Sequence, residues 1–251
     1  MHEAFFFGPA DQQIFATYHP AAGGGGQVLT VICPPLFSDY MRTHLALRDI
    51  AMALAERGQH VLRFDYRGTG DSFGDLGEFA VSDWLEDIAL TVREGLEISG
   101  SDVVRLLGVR ASALLACVAA RASSDVQRVV LWDPVPDGAG YLEALRRIQE
   151  TMLKENYYMS RAERRDAMHE YAGYSVSERM VEELRLIDAS AYTSVPKSAL
   201  HVVSTSSAPW FPVQGVPQDV VPLRCDWDTD AAELIMARPV LERLVACLTR
   251  T

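Results

Sequence analysis

The segment that most constrains this chain is residues 103–122, where a strand, a sharp turn and a helix follow one another. The apolar run at 103–107 predicts a buried strand. Gly108-Val109-Arg110-Ala111-Ser112 then turns the chain, and the small and apolar residues 111–122 predict a helix. Apolar runs and helical patterns alternate in this way along the sequence, which favours a mostly parallel sheet covered by helices on both faces.

The remaining elements follow from the same alternation. Further strands are predicted at residues 5–7, 14–18, 28–33, 61–65, 128–132, 200–204 and 220–223, and further helices at 42–57, 82–98 and 232–248. Residues 138–194 are rich in Glu, Arg, Tyr and Met and predict helices without strands. We therefore divide the chain into a first core part (1–137), a helical insertion (138–194) and a last core part (195–251).

Charge and cysteine content exclude several classes of function. The net charge of −11 argues against nucleic acid and anionic membranes as partners. Cys33, Cys117, Cys225 and Cys247 are far apart and lack metal-ligand spacing, so they predict neither a zinc site nor a disulfide framework. No signal peptide and no apolar run of transmembrane length is visible. We expect reduced thiols, a cytoplasmic location and no metal or cofactor.

Two further motifs accompany the turn at residue 110. Residues 33–37, Cys-Pro-Pro-Leu-Phe, end one predicted strand. Residues 64–72, Phe-Asp-Tyr-Arg-Gly-Thr-Gly-Asp-Ser, form a tight loop whose glycines permit unusual backbone angles. Asp71 and Ser72 are expected to brace this loop by local hydrogen bonds.

Through these motifs the chain resembles the α/β-hydrolase superfamily over nearly its whole length. It is most similar to a bacterial branch known as serine aminopeptidase-like or exosortase-associated hydrolases. That closer resemblance rests on Tyr40-Met41-Arg42-Thr43-His44, Leu62-Arg63-Phe64-Asp65, Gly68-Thr69-Gly70-Asp71-Ser72 and Gly108-Val109-Arg110. Members of the branch commonly have Gly-Leu-Arg-Leu-Gly at the turn, from which this chain departs at Ser112.

The resemblance implies an α/β-hydrolase fold: a mostly parallel eight-stranded sheet, helices on both faces and a helical lid at 138–194. It also implies that Arg110 occupies the place of the nucleophilic serine of Gly-x-Ser-x-Gly. Arginine stays protonated and has no lone pair, so it cannot attack a carbonyl. Asp133 follows the sixth strand, where the fold can place its acid, but no histidine follows the last strand. A Ser-His-Asp mechanism is therefore not expected.

Arg110 needs an anion, because a partly buried and unpaired guanidinium is costly. Asp133 or Asp71 could supply it from within the protein. The alternative is a ligand carboxylate or phosphate, whose geometry suits the guanidinium. We favour the internal pair.

The candidate catalytic residues are His44, Arg110 and Asp133. His44 is the best remaining acid or base, although a surface or capping role is the alternative. Cys33 and Ser112 are the fallback nucleophiles. For both residues we favour the alternative, in which Cys33 packs in the core and Ser112 caps or packs in the turn.

The resemblance implies an oxyanion hole formed by the loop at 33–37 and the backbone N–H of Ala111, the alternative being a turn that merely ends the strand. We expect substrate contacts from Leu36, Phe37, Tyr40, Arg42 and Ala111.

Our leading hypothesis is an atypical enzyme of a natural-product pathway, acting on a small acyl or peptidyl substrate that is free or bound to a carrier protein. It would catalyse acyl transfer or a related step without a serine acyl-enzyme. The alternatives are a catalytically inactive binding or scaffold protein, and a non-hydrolytic isomerase or cyclase.

Overall fold

The computed structural model describes residues 2–24, 26–206, 211–223, 227–228 and 234–250. Its strands are β1 (Glu3–Phe7), β2 (Ile14–His19), β3 (Val28–Cys33), β4 (His60–Phe64), β5 (Val103–Val109), β6 (Val126–Trp132), β7 (Leu200–Ser204) and β8 (Gln218–Val220). They form one sheet in the order β1-β2-β4-β3-β5-β6-β7-β8. The strand pairs β1–β2 and β2–β4 are antiparallel, and all other neighbours are parallel. This sheet confirms the predicted fold class.

Helices cover both faces of the sheet. They are α1 (Ser38–Glu56), α2 (Val81–Ser99), α3 (Ser112–Ala122), α4 (Gly138–Glu155), α5 (Arg161–Ala167), α6 (Glu178–Leu186), α7 (Ser190–Thr193) and α8 (Arg238–Thr249). One buried apolar cluster joins the sheet to α1 and α8, and a second joins it to α2, α3 and the inserted helices. Apolar strands buried on both faces are what a parallel sheet requires.

Three predicted boundaries were wrong. Helix α1 begins at Ser38 and not at residue 42, because Phe37 turns the chain with a φ of 54° and the helix starts directly after it. Strand β8 spans residues 218–220 and not 220–223. The closing helix begins at Arg238 and not at residue 232, because the described residues 234–237 that precede it are not helical.

The insertion at 138–194 consists of α4 to α7 and contributes no strand to the sheet. It packs over the loop that follows β3, since the ring of Tyr174 lies 5.5 Å from that of Phe37. The Tyr141 hydroxyl of α4 lies 3.0 Å from the carbonyl oxygen of Leu36. The carboxyl ends of the parallel strands, where ligands bind in such sheets, therefore lie beneath inserted helices.

Among the described residues, no helix is both long and apolar enough to cross a membrane.

Candidate functional site

Arg110 forms the turn between β5 and α3 with a φ of 54°. This left-handed angle is unusual for a residue other than glycine, and such strain clusters at functional sites. Gly108 allows the close approach of the helix, because a Cβ there would lie 2.7 Å from the Cα of Ala113. Ser112 is fully buried, and its hydroxyl lies 3.1 and 2.9 Å from the backbone carbonyls that end β3 and β5. Ser112 thus packs in the turn and cannot serve as a nucleophile.

The guanidinium of Arg110 is paired within the protein. Its Nη2 lies 3.2 Å from Oδ1 of Asp228, and its Nε lies 3.7 Å from Oδ2 of Asp39. Nη1 reaches only the backbone carbonyl of Asp133, at 3.5 Å. The guanidinium carbon lies 5.0 Å from the ring centre of Trp227, a cation–π distance. Two carboxylates and an indole therefore surround the Arg110 guanidinium.

The expectation that Asp133 or Asp71 supplies this anion was wrong. The Asp133 carboxylate is already bound: it accepts hydrogen bonds from the backbone N–H of Thr205 (2.7 Å), the Thr205 hydroxyl (2.5 Å) and the Trp227 indole (2.9 Å). Asp71 lies on the exposed loop after β4, where its backbone N–H donates to Asp65. Sequence order alone could not assign the pair, because Asp39 comes from the first turn of α1 and Asp228 from beyond the last strand.

Trp227 connects Arg110 to Asp133. Its indole N–H donates to Oδ2 of Asp133, and its ring lies against the Arg110 guanidinium. An indole N–H donates a hydrogen bond but offers no lone pair for a proton, so Trp227 cannot act as a base. The only sequence signal for its role is its position after the last strand.

Arg42 belongs to this cluster. The side chain is buried, its Nη1 lies 3.3 Å from the carbonyl oxygen of Trp227, and its guanidinium lies 5.7 Å from the Trp227 ring centre. The turn of α1 that carries Arg42 thus faces the tryptophan, and the predicted substrate contact of Arg42 stays a prediction.

Asp39 is a site residue that sequence reasoning missed. It is buried in the first turn of α1, and its Oδ2 lies 3.0 Å from the Tyr141 hydroxyl. Burial raises the pKa of Asp39 to about 6, while Arg110 and the Tyr141 hydrogen bond act in the opposite direction. At neutral pH the carboxylate is ionised, and Arg110 offsets part of the cost of burying it.

A cavity of about 290 Å³, here called the α1 pocket, lies beside this cluster. The loop after β3, the start of α1, the loop after β4 and Tyr174 of the insertion enclose it. Of the residues predicted to contact substrate, Leu36, Phe37 and Tyr40 line the pocket, whereas Ala111 does not. Ala111 is fully buried in the turn before α3, so only its backbone could meet a ligand.

Phe37 lies in the pocket wall, and its own backbone is strained, with φ 54° and ψ −130°. Its ring lies between those of Trp84, Tyr141 and Tyr174, at centroid distances of 6.1, 6.3 and 5.5 Å. These aromatic contacts fix the loop that the resemblance identifies as half of an oxyanion hole. The oxyanion role itself stays a prediction.

His44 is not brought to Arg110 by any hydrogen bond or ion pair of the described residues. Its Nδ1 lies 2.8 Å from the Met41 carbonyl in its own helix, and its ring lies 6.4 Å from that of Tyr40. The α1 pocket includes Tyr40 and Met41 in its wall but not His44. The sequence motif gave the position of His44 along the chain, but it did not indicate which face of α1 carries the side chain.

The remaining nucleophile candidate, Cys33, is inert. Complete burial raises the pKa of its thiol to about 12, so it does not form a thiolate near neutral pH.

His201, Asp219 and Cys247 form the one group of metal-ligand types whose donor atoms converge within 4.8 Å among the described residues. The His201 Nε2 and the Cys247 thiol lie 2.8 and 3.3 Å from Oδ2 of Asp219, and Arg243 lies 3.8 Å from Oδ1. The Asp219 carboxylate is thus already paired with a cation and two hydrogen-bond partners. We assign the cluster to joining β7 and β8 to α8.

No protein-family model and no curated protein sequence matches the chain. Solved structures do match it in shape. They include an enol-lactonase from Burkholderia xenovorans, with 17% identity, a TM-score of 0.60 and coverage of 98% of this chain and 100% of that one. A serine hydrolase without a lid from Xanthomonas campestris matches with 16% identity, a TM-score of 0.57 and coverage of 100% and 96%.

An α-β serine hydrolase homologue from Coxiella burnetii gives similar values: 17% identity, a TM-score of 0.56 and coverage of 98% and 97%. At these sequence identities the comparison shows the fold alone and not the function. Together with the eight-stranded sheet, it shows that this chain has the α/β-hydrolase fold.

Proposed function

We propose that the chain is an α/β-hydrolase-fold protein that lacks the Ser-His-Asp mechanism and binds an acyl or peptidyl molecule non-covalently in the α1 pocket. The observation that carries the proposal is the closed cluster of Arg110, Asp39, Trp227 and Asp133. In this proposal a permanent cation occupies the nucleophile position and an indole occupies the base position, and neither group can do that chemistry.

The pocket supports a ligand that is mostly apolar. Leu36, Phe37, Met41 and Trp84 contribute to its wall, and the inserted helices supply Tyr174. Apolar cavities with few polar groups are typical of small-molecule sites. We propose a free acyl molecule or one bound to a carrier protein; a place in a natural-product pathway rests on the sequence resemblance alone.

An enzyme that transfers or rearranges the acyl group without a covalent intermediate is the second candidate. The strained backbone at Phe37 and Arg110 favours it, because strain of this kind clusters at functional sites. Such an enzyme would depend on orientation and backbone donors in place of a serine.

The proposal predicts that a fluorophosphonate probe does not label the protein and that short p-nitrophenyl esters are not turned over above background. Ser112 is buried and hydrogen-bonded, and Arg110 cannot react. The measurement is intact-mass spectrometry after probe treatment, with a serine esterase as positive control. Rapid stoichiometric labelling at Ser112 would contradict the proposal.

His44→Ala separates the two candidates. In a binding protein the substitution should change ligand affinity less than about twofold, because His44 bonds only its own helix and lies outside the pocket wall. If His44 acts as acid or base, product formation should fall about 10²–10⁴-fold with binding retained. Arg48→Ala, an exposed position one turn further along α1, is the matched control.

A further inference from the structure

We propose that the α1 pocket selects molecules that combine an apolar body with a hydrogen-bond donor, such as a hydroxyl group, which donates to Asp65. This inference rests on the proposed function, since it names the ligand class of the same pocket. Among the described residues, Asp65 is the one carboxylate in the pocket wall, and the Tyr40 hydroxyl donates a hydrogen bond to it.

The Asp65 carboxylate is held in a fixed position. Its Oδ1 accepts the Tyr40 hydroxyl at 2.9 Å, and its Oδ2 accepts the backbone N–H of Asp71 at 3.2 Å. The glycine at position 70 leaves room for it, because a Cβ there would collide with the carboxylate. Each carboxylate oxygen can accept a second hydrogen bond, so both retain capacity for a ligand.

Asp65 is also poorly hydrated. Its exposed fraction is 7%, and burial raises the pKa of the carboxyl group, against the opposing effects of the Asp71 N–H, Tyr40 and Arg63. A buried carboxylate gains most from a further donor, because water no longer competes for its lone pairs. A ligand carboxylate would instead meet a like charge in a site of low dielectric.

The cation of Arg110 does not reverse this selectivity. Arg110 is absent from the pocket wall and is paired with Asp39 and Asp228. The basic side chain of Arg63 lines a neighbouring cavity of about 230 Å³, which shares Asp65 and Tyr40 with the α1 pocket. Asp71 lines the same cavity, so an anionic head group would face two carboxylates there.

The test compares three probes with the same ten-carbon chain by calorimetry: 1-decanol, decyl methyl ether and decanoate. We expect 1-decanol to bind about 10–100-fold more tightly than the ether, which accepts but cannot donate, because hydrogen bonds to a charged group contribute about 1.5–3 kcal/mol. Decanoate should bind at least tenfold more weakly than 1-decanol. Asp65→Asn should reduce both differences, and Asp71→Asn on the same loop should leave the difference between 1-decanol and the ether unchanged.

Equal affinity of the wild-type protein for all three probes would overturn the donor inference and leave the proposed apolar ligand site intact. No binding of any probe up to its solubility limit would overturn the proposed function as well. Because the comparison of alcohol with ether uses the unmodified protein, it decides the inference even if Asp65→Asn fails to fold.

Discussion

Replacement of Arg110 by serine is expected to lower the free energy of unfolding by about 3 kcal/mol at pH 8 and to leave esterase activity at background. The substitution removes the cation that lies 3.7 Å from Asp39, whose side chain is almost completely buried. The pair with Asp228 contributes little to this figure, because that carboxylate is half exposed. The new hydroxyl would have no base, since the adjacent ring is the indole of Trp227.

The destabilisation should depend on pH. The folded-state pKa of Asp39 is about 6, above its ordinary value of 3.8, so the folded state favours the protonated carboxyl. The stabilising contribution of Asp39 is therefore complete below pH 3.8 and is lost as the pH rises through 6. Without Arg110 that pKa rises further. At pH 5 Asp39 carries its proton in both proteins, and the difference should shrink to about 1 kcal/mol from the lost contact with Trp227.

Denaturant unfolding at pH 5 and pH 8 measures this difference. Asp39→Asn in the Arg110→Ser background is the matched control, because it removes the stranded charge and should recover most of the loss at pH 8. A loss that is equal at both pH values would show that Asp39 is not the anion that Arg110 neutralises.

The largest gain in esterase activity is expected from the double substitution of Arg110→Ser with Trp227→His. Asp133 already receives a hydrogen bond from the ring N–H at position 227, at 2.9 Å. An imidazole there can donate one N–H to Asp133 and use its second nitrogen as a base toward the hydroxyl at position 110. We expect hydrolysis of p-nitrophenyl acetate about 10²–10⁴-fold faster than by Arg110→Ser alone, together with fluorophosphonate labelling at position 110.

Two control variants test whether the gained esterase rate depends on the imidazole and on Asp133. Arg110→Ser with Trp227→Phe retains an aromatic ring but has no base, and it should stay at background. Adding Asp133→Asn to the active double variant should remove most of the gained rate, because the imidazole loses its orienting partner. A folded double variant that neither hydrolyses the ester nor reacts with the probe would contradict the assignment of Arg110, Trp227 and Asp133 to the three positions of a triad.

The sheet was predictable from sequence because strands buried on both faces are continuous apolar runs. The apolar run at 103–107 and the turn at 108–112 became β5 and the strained turn at Arg110. The edge strand β8 was misplaced because its residues are polar and partly exposed, with only β7 as a neighbour. Helix α1 was started too late because no sequence pattern indicates the positive φ of Phe37.

The site was less predictable than the fold. The motif order identified Arg110 and the loop at 33–37, but the partners of Arg110 come from α1 and from beyond β8. Asp39, Trp227 and Asp228 carry no local signature, and only the folded chain brings them together. His44 illustrates the converse: it lies in a recognised motif, yet its ring bonds the Met41 carbonyl and lies outside the pocket.

The titration of the Asp39 carboxyl carbon by NMR tests the central claim most directly, namely that Arg110 is the cation of a buried internal pair at the nucleophile position. In the unmodified protein the signal should titrate with a pKa of about 6. In Arg110→Met, which keeps the volume and removes the charge, the pKa should rise further, because desolvation is then unopposed by the guanidinium. An Asp39 pKa near 3.8 that does not change in Arg110→Met would contradict the account.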